Sequence, residues 1–164
     1  MLFRSMRNYY ADQGFTSAQF DAVAELKPAS LLDFDKRLKA VREFAKLPEA
    51  PALAAANKRI RNILRKVEGE IPATVNADLL QDKGEQDLYA AVTAAISETD
   101  TALAARDYVA VLSRLAQLRP QVDAFFDSVM VNVDDTAVRD NRLALLKQLA
   151  DRFASVAEIA ALVA

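Results

Sequence analysis

The sequence contains neither cysteine nor histidine, and only three of its 164 residues are glycine. Without cysteine, the chain can form no disulfide, thiol nucleophile or thiolate metal site. Without histidine, it lacks the usual general base, the Ser-His-Asp arrangement and the common zinc ligand sets. It also has no glycine-rich phosphate loop with a Walker lysine. The chain taken alone therefore shows no pattern typical of a catalytic domain, and we predict no catalytic residue, metal or cofactor in it.

Long apolar runs and an excess of positive charge are also missing. No stretch is apolar for long enough to span a bilayer, and the first ten residues lack an apolar core of signal-peptide length. A cytoplasmic location is the resulting expectation. The formal net charge is −2, which argues against a polybasic nucleic-acid binder, so any site for an anion has to be local.

Helix-forming residues dominate what is present. Hydrophobic residues make up 52% of the chain, and no segment shows strand alternation. This composition predicts an all-α bundle of about six or seven helices, in a single domain over residues 1–164. Residues 1–67 are expected to form the N-terminal helices and residues 86–164 the C-terminal helices. Residues 68–85 are expected to connect them, with a mobile functional loop as the alternative.

Capping patterns predict several helix boundaries. The first helical pattern, over residues 2–13, starts without a capping residue before it, which suggests that the chain was cut from a longer one. Pro120 lies inside a long apolar stripe and is expected to kink or divide it. N-terminal caps are predicted at Thr16 in a capping box with Gln19, at Asp33, at Asp107 and at Asp134 and Asp135.

The segment LAAANKRIRNILRKV, residues 53–67, predicts one amphipathic helix with a basic face. Its apolar residues recur at spacings of three and four, so they share one side. Between Asn57 and Lys66 there are five basic residues and no acidic residue. The positive side chains on such a face repel one another unless an anionic group lies against them. It is either a solvated charged face or a nucleic-acid contact, and Asn57 and Asn62 favour the latter because amides bond to bases and phosphates.

A second basic segment precedes this helix. The helix expected to begin at Asp33 has only two acidic residues, Asp35 and Glu43, to offset its cations. A short link around Pro48 joins the two basic helices, so they are expected to be antiparallel neighbours whose outer faces could merge into one positive patch. The cations of the earlier helix are Lys36, Arg37, Lys39, Arg42 and Lys46.

Long ungapped segments resemble the C-terminal region of the bacterial glycyl-tRNA synthetase beta subunit. They are ALAAANKRIRNIL at residues 52–64 and VDAFFDSVMVNVDDTAVRDNRLALLKQL at residues 122–149. LLDFDKRLKAVREFAKLPEAPALAAANKR extends the likeness upstream, and FASVAEIAAL extends it toward the end of the chain.

The resemblance implies a DALR-type anticodon-binding domain, a helical module shared in outline with arginyl-tRNA synthetase. Asp135, Ala137, Val138 and Arg139 lie near the tetrapeptide that names the module. Valine replaces the usual leucine, and Thr136 intervenes, so the literal motif is absent.

The same resemblance implies a function and partners. The domain would recognise the anticodon of tRNA(Gly) within an ATP- and Mg-dependent glycine–tRNA ligase. The catalytic site of that family belongs largely to a separate alpha subunit, which this chain would reach through the rest of the beta subunit. The alternative is a helical protein-interaction module, whose basic face docks an acidic partner and has no RNA role.

Glycine anticodons share cytosine at their second and third positions, and this sets the chemistry of readout. A cytosine reader needs a donor to the ring nitrogen and carbonyl, and an acceptor for the amino group. Three strips supply candidates: Asn57, Lys58, Arg61, Asn62 and Arg65; Asn132, Arg139, Asn141 and Arg142; and Lys36, Arg37 and Lys39. The third strip is better suited to contacts with phosphates than to base readout. For the two arginines of the second strip, the alternative is pairing with Asp135 and Asp140.

Overall fold

A computed structural model describes the backbone of residues 2–28 and 30–163 and the side chains from residue 5 onward within those ranges; Met1, Ala29 and Ala164 lie outside it. Within those ranges the chain is all-α, as predicted, without a strand. None of the described helices has the length and apolar character needed to cross a membrane. The eight α-helices described are α1 (Leu2–Asp12), α2 (Ser17–Ala24), α3 (Leu31–Ala45), α4 (Ala50–Arg65), α5 (Lys83–Ala104), α6 (Tyr108–Ala116), α7 (Arg119–Ser128) and α8 (Thr136–Ala154).

Most of the predicted helix starts are confirmed. The Thr16 hydroxyl accepts from the Gln19 backbone N–H at 3.0 Å, which completes one half of the predicted capping box. Asp107 caps α6, and Asp135 caps α8. Asp33 does not begin α3, because Ser30 lies three residues earlier and accepts from the Asp33 backbone N–H at 3.3 Å. Serine is as good a cap as aspartate, so the helix starts at the earlier of the two.

Pro120 accounts for one further boundary. Pro120 lies in the first turn of α7, where its missing N–H has no helical partner to lose. It therefore divides the apolar stripe into α6 and α7, and the described helices number eight rather than six or seven. The connector is irregular apart from a 3₁₀ turn at Ala77–Leu79, and α5 begins at Lys83.

One hydrophobic core joins these helices. Burial of a large apolar side chain contributes roughly 1.5–3 kcal/mol, so the phenylalanines dominate the packing. The segment after α8 forms a second 3₁₀ turn, Ile159–Leu162, and the Glu158 backbone N–H donates to the Ala22 carbonyl at 2.8 Å. This bond ties the end of the chain to α2. The fully buried phenylalanines are Phe20, Phe34, Phe44, Phe125 and Phe153.

Candidate nucleic-acid interface

Helix α4 lines two surface grooves with different parts of its circumference. The first groove, with a volume of about 860 Å³, lies between α4, the end of α7 and the start of α8. The second groove, of about 540 Å³, lies between α4 and the 3₁₀ turn at Ile159–Leu162. The basic helix predicted from the sequence therefore borders both concave surfaces.

The first groove combines apolar walls with both hydrogen-bond donors and acceptors. Three cations and three acids line it, so its charge is balanced rather than strongly positive. This mixture suits the edge of a base, which presents donors and acceptors together, better than a phosphate. The cations are Arg59, Lys66 and Arg139, the acids are Glu68, Asp127 and Asp140, and the apolar residues include Ile63, Val67, Phe126, Met130 and Leu143.

A stacked pair, Arg59 and Phe126, forms one wall of this groove. The guanidinium carbon of Arg59 lies 4.4 Å from the centroid of the Phe126 ring. The Phe126 ring in turn packs edge-on against the buried Phe125, with 5.5 Å between centroids, so the pair rests on the core. Arginine planes and aromatic rings are the surfaces on which unpaired bases stack.

The loop between α7 and α8, residues 129–135, lines the first groove with its first four residues. Val129 is buried and anchors its beginning, whereas the Met130 side chain is 71% exposed. The Val133 backbone N–H donates to the Val131 carbonyl at 3.1 Å, which closes a tight turn. The loop therefore presents apolar side chains toward solvent next to the polar groups of the groove.

Two predicted site residues, Asn132 and Arg139, line the first groove. The Arg139 Nε atom lies 3.9 Å from an Asp140 carboxylate oxygen, which is a loose pairing at a partly exposed site. Asp135 caps α8 instead of pairing with Arg139, since it accepts from the Ala137 and Val138 backbone N–H groups. The guanidinium of Arg139 is thus largely uncommitted.

Three other predicted site residues are buried, so they do not form the tRNA contacts that the sequence predicted for them. Asn57 is 1% exposed and donates to the Leu53 carbonyl within its own helix. Asn141 bonds to the backbone of Asn76, and Arg142 is 3% exposed and pairs with Glu85. Helical spacing placed these polar side chains beside exposed cations but could not show that the connector and α5 cover two of them.

Two predicted arginines have acidic partners and also contact residues that lie far away in the sequence. Arg61 lies 3.5 Å from Asp151 and 3.4 Å from Glu158, and its side chain is 27% exposed. Arg37 pairs with Asp33 at 2.7 Å and donates to the carbonyls of the residues that follow α8. The premise that the basic faces lack counter-charges is therefore wrong for both arginines.

The remaining predicted site residues, four cations and Asn62, lie at the surface. Lys58, Asn62 and Arg65 line the second groove, where Arg65 donates to the Asn62 side chain at 3.3 Å. On α3, Lys36 is exposed, and Lys39 pairs with Asp35 at 2.8 Å. These residues are available for contacts with an anionic partner.

Sequence reasoning missed four residues of the first groove: Arg59, Lys66, Phe126 and Met130. Arg59, Ile63 and Lys66 are spaced by four and three residues, so they share a helix face, and this signal was available. Phe126 is only partly buried and lines the groove. No local pattern marks Met130.

The elements that build the first groove all fall within one recognised region. A family model for the DALR anticodon binding domain matches residues 53–159, from α4 through the α7–α8 loop to the end of α8 and beyond. The chain belongs to the DALR anticodon-binding domain family. The expected resemblance is confirmed, and the matched region contains every lining residue of the first groove and most of those of the second.

Close relatives of this DALR domain share one name, glycine–tRNA ligase beta subunit. The protein from Xanthomonas campestris pv. campestris (strain 8004) is 65% identical over 154 residues, which is 94% of this chain and 22% of the relative. That from Xylella fastidiosa (strain M12) is 54% identical over 94% of this chain and 21% of the relative. That from Pseudomonas aeruginosa (strain LESB58) is 53% identical over 98% of this chain and 24% of the relative. The chain therefore spans about a fifth of the length of these relatives.

Proposed function

We propose that this DALR domain recognises the anticodon loop of tRNA(Gly) on behalf of a glycine–tRNA ligase beta subunit. The observation that carries the proposal is the first groove, which joins the Arg59–Phe126 stack to the loosely paired guanidinium of Arg139. Sequence-specific proteins bind single-stranded RNA bases by stacking on such surfaces and by hydrogen bonds to the base edges. Family membership and the named relatives support the same assignment.

The groove has the chemistry that cytosine requires. Arg139 and Asn132 supply donors for the ring nitrogen and carbonyl of a cytosine, and Asp127 and Asp140 supply acceptors for its amino group. A base stacked on the Arg59 plane would occupy the same groove as both sets. The balanced charge of the groove then favours a defined base over unspecific phosphate binding.

The exposed cations outside the first groove are assigned to the RNA backbone. Lys58 and Arg65 in the second groove, and Lys36 and Lys39 on α3, are accessible for phosphates, which fix position without reading sequence. Asn62 adds an amide beside them. Catalysis, with ATP and Mg, is assigned to the alpha subunit, which the DALR domain would reach through the rest of a beta subunit in the cytoplasm.

The proposal is tested by comparing arginine variants of the two grooves. Arg59→Ala and Arg139→Ala are each expected to weaken binding of tRNA(Gly) by about tenfold, since a stacked base contributes about 1–3 kcal/mol. Both should also reduce the preference over a tRNA with an altered anticodon. Arg65→Ala should weaken both tRNAs equally and lower the salt slope by about 0.7. Filter binding at several salt concentrations measures all three.

Arg7→Ala is the matched control, because Arg7 also stacks on a phenylalanine, at 4.6 Å from the Phe20 centroid, but lies outside both grooves. It should leave tRNA binding unchanged. If Arg59→Ala and Arg139→Ala bind both tRNAs as the parent does, the first groove is not the RNA site. If the parent protein does not bind RNA but binds an acidic protein tightly, the alternative of a protein-interaction module is favoured.

A further inference from the structure

Asn141 and Arg142 form an internal anchor directly behind the first groove. Both side chains are buried, and neither lines the groove. Their partner Glu85, at the start of α5, is 0% exposed. A buried ion pair of this kind pays a desolvation penalty and is often no more stabilising than apolar packing. Its presence so close to the groove therefore requires a reason other than stability.

Arg142 joins three elements through one guanidinium group. Its Nε donates to Glu85 at 3.1 Å, and its Nη2 donates to Asp82 at 3.2 Å. Its Nη1 donates to the Met130 carbonyl, in the α7–α8 loop. Glu85 also accepts from the backbone N–H groups of Gln81 and Asp82, so its carboxylate is itself held in place. Arg142 thus fixes the loop to the start of α5.

Two neighbouring contacts make this attachment rigid. Asn141 donates to the Asn76 carbonyl at 3.0 Å and accepts from the Asn76 N–H at 2.7 Å, which pins the connector. A Cβ atom on Gly84 would lie 2.7 Å from the Ser128 hydroxyl and 3.3 Å from a Val129 methyl group. The start of α5 therefore packs directly on the residues that lead into the loop.

We infer that Arg142, held by Glu85, is a positioning residue for anticodon discrimination. By drawing the Met130 carbonyl inward, it leaves the side chains of Met130, Val131 and Asn132 facing the first groove. A recognition surface loses specificity when its supporting contacts are loose, even if every contacting side chain is present. This inference rests on the proposed function, and it assigns to Arg142 a role that involves no contact with RNA.

Arg142→Lys tests the inference, since lysine keeps the charge but lacks the planar fork that reaches Glu85 and Met130 together. The affinity ratio between tRNA(Gly) and a tRNA with an altered anticodon is expected to fall by about tenfold. The salt slope should stay unchanged, because no phosphate contact is lost. Hydrogen exchange of the amides at residues 130–133 should become faster. Glu85→Gln should act in the same direction, and it serves if Arg142→Lys does not fold.

Arg152→Lys is the matched control, because Arg152 lies on the same helix and binds Asp100, Thr99 and the Ile96 carbonyl but not the loop. It should lower the free energy of unfolding without changing the affinity ratio or the loop exchange. Equal effects of Arg142→Lys and Arg152→Lys on both readouts would overturn the inference. If the parent shows no preference between the tRNAs, the proposed function fails, and unchanged loop exchange in Arg142→Lys would separately refute the positioning.

Discussion

Asn57 is a polar side chain enclosed by the core, and only part of its amide is satisfied. The Nδ2 group donates to the Leu53 carbonyl at 2.9 Å. The Oδ1 atom is buried and has no hydrogen-bond partner among the residues that the structure describes. An unpaired buried acceptor of this kind destabilises a fold by about 1–3 kcal/mol. One of the two asparagines that favoured RNA binding in the sequence therefore leaves an unsatisfied acceptor inside the core.

Replacing Asn57 by leucine, a side chain of similar size, is expected to stabilise the protein. Asn57→Leu removes the unpaired carbonyl and should raise the free energy of unfolding by about 1 kcal/mol. Urea unfolding measures this change. Asn62→Leu, on the exposed side of α4, should give no such gain. A loss of tRNA binding in Asn57→Leu, with the protein more stable, would show that Asn57 does meet RNA.

The sequence predicts the position of a residue on its helix, but it does not reveal the residue's partner. Helical spacing correctly placed Arg61 away from the apolar side of α4. Its partners Asp151 and Glu158 come from the end of α8 and the residues after it, a separation of 90 residues in the case of Asp151. Such pairing depends on the tertiary fold, so no local pattern could have shown that this cation is already neutralised.

Helix α8 contributes to both the surface and the interior of the site. In its first turns, Arg139 lines the first groove, whereas Asn141 and Arg142 are buried behind the groove. The four residues after Arg142 are all buried, so this part of the helix is covered on every side. A helix buried all round holds its residues at fixed positions, which explains how two adjacent side chains can fix the loop and the connector.

The start of α8 depends on one of its two adjacent aspartates. Asp135 accepts from the Ala137 and Val138 backbone N–H groups, whereas Asp134 is exposed. Asp135→Ala is expected to lower the free energy of unfolding by about 1 kcal/mol. Asp134→Ala, the matched control, should change it by less than about 0.5 kcal/mol. Chemical denaturation separates the two, and equal losses would mean that charge near the helix start matters rather than the cap.

The elements themselves were largely predictable, because their boundaries depend on local chemistry. Thr16, Asp107 and Asp135 cap the helices that the sequence assigned to them, and Pro120 separates α6 from α7. The grooves were not predictable, since each lies between helices that are distant in the sequence. Arg59 on α4 and Lys66 directly after it illustrate this limit. The sequence shows that they share a helix face, but the groove which they line exists only because α7 and α8 lie beside them.

At the scale of the whole molecule, one polar network ties the N-terminal helices to the C-terminal end. The Asp33 carboxylate accepts from the Tyr108 hydroxyl at 2.5 Å and from Arg37 at 2.7 Å. Arg37 donates in turn to the carbonyls of Ser155 and Val156, both at 2.8 Å. The Asp33 carboxylate and the Arg37 guanidinium together therefore link helix α3, helix α6 and the segment after α8.

The ionisation of Asp33 is expected to govern stability in acid. Burial alone would raise the pKa of Asp33, but the hydrogen bonds from Tyr108 and Arg37, together with nearby positive charge, outweigh it and hold the pKa below its ordinary value. The unfolded chain then binds a proton more readily than the folded one. The stabilisation by Asp33 is therefore present above the unfolded pKa of about 3.9 and is lost as the pH falls through the folded value.

Asp33→Asn separates this effect from the other carboxylates, because it keeps an acceptor for Tyr108 but cannot ionise. At neutral pH it should lower the free energy of unfolding by about 2 kcal/mol, since Arg37 loses its ion pair. As the pH falls from about 5 through the unfolded pKa of about 3.9 and then through the lower folded value, the parent should lose stability more steeply than the variant, so the two curves converge. Urea unfolding across this range measures both slopes. Parallel curves would mean that Asp33 has the same pKa in both states, and that the network joining α3, α6 and the end of α8 holds without its charge.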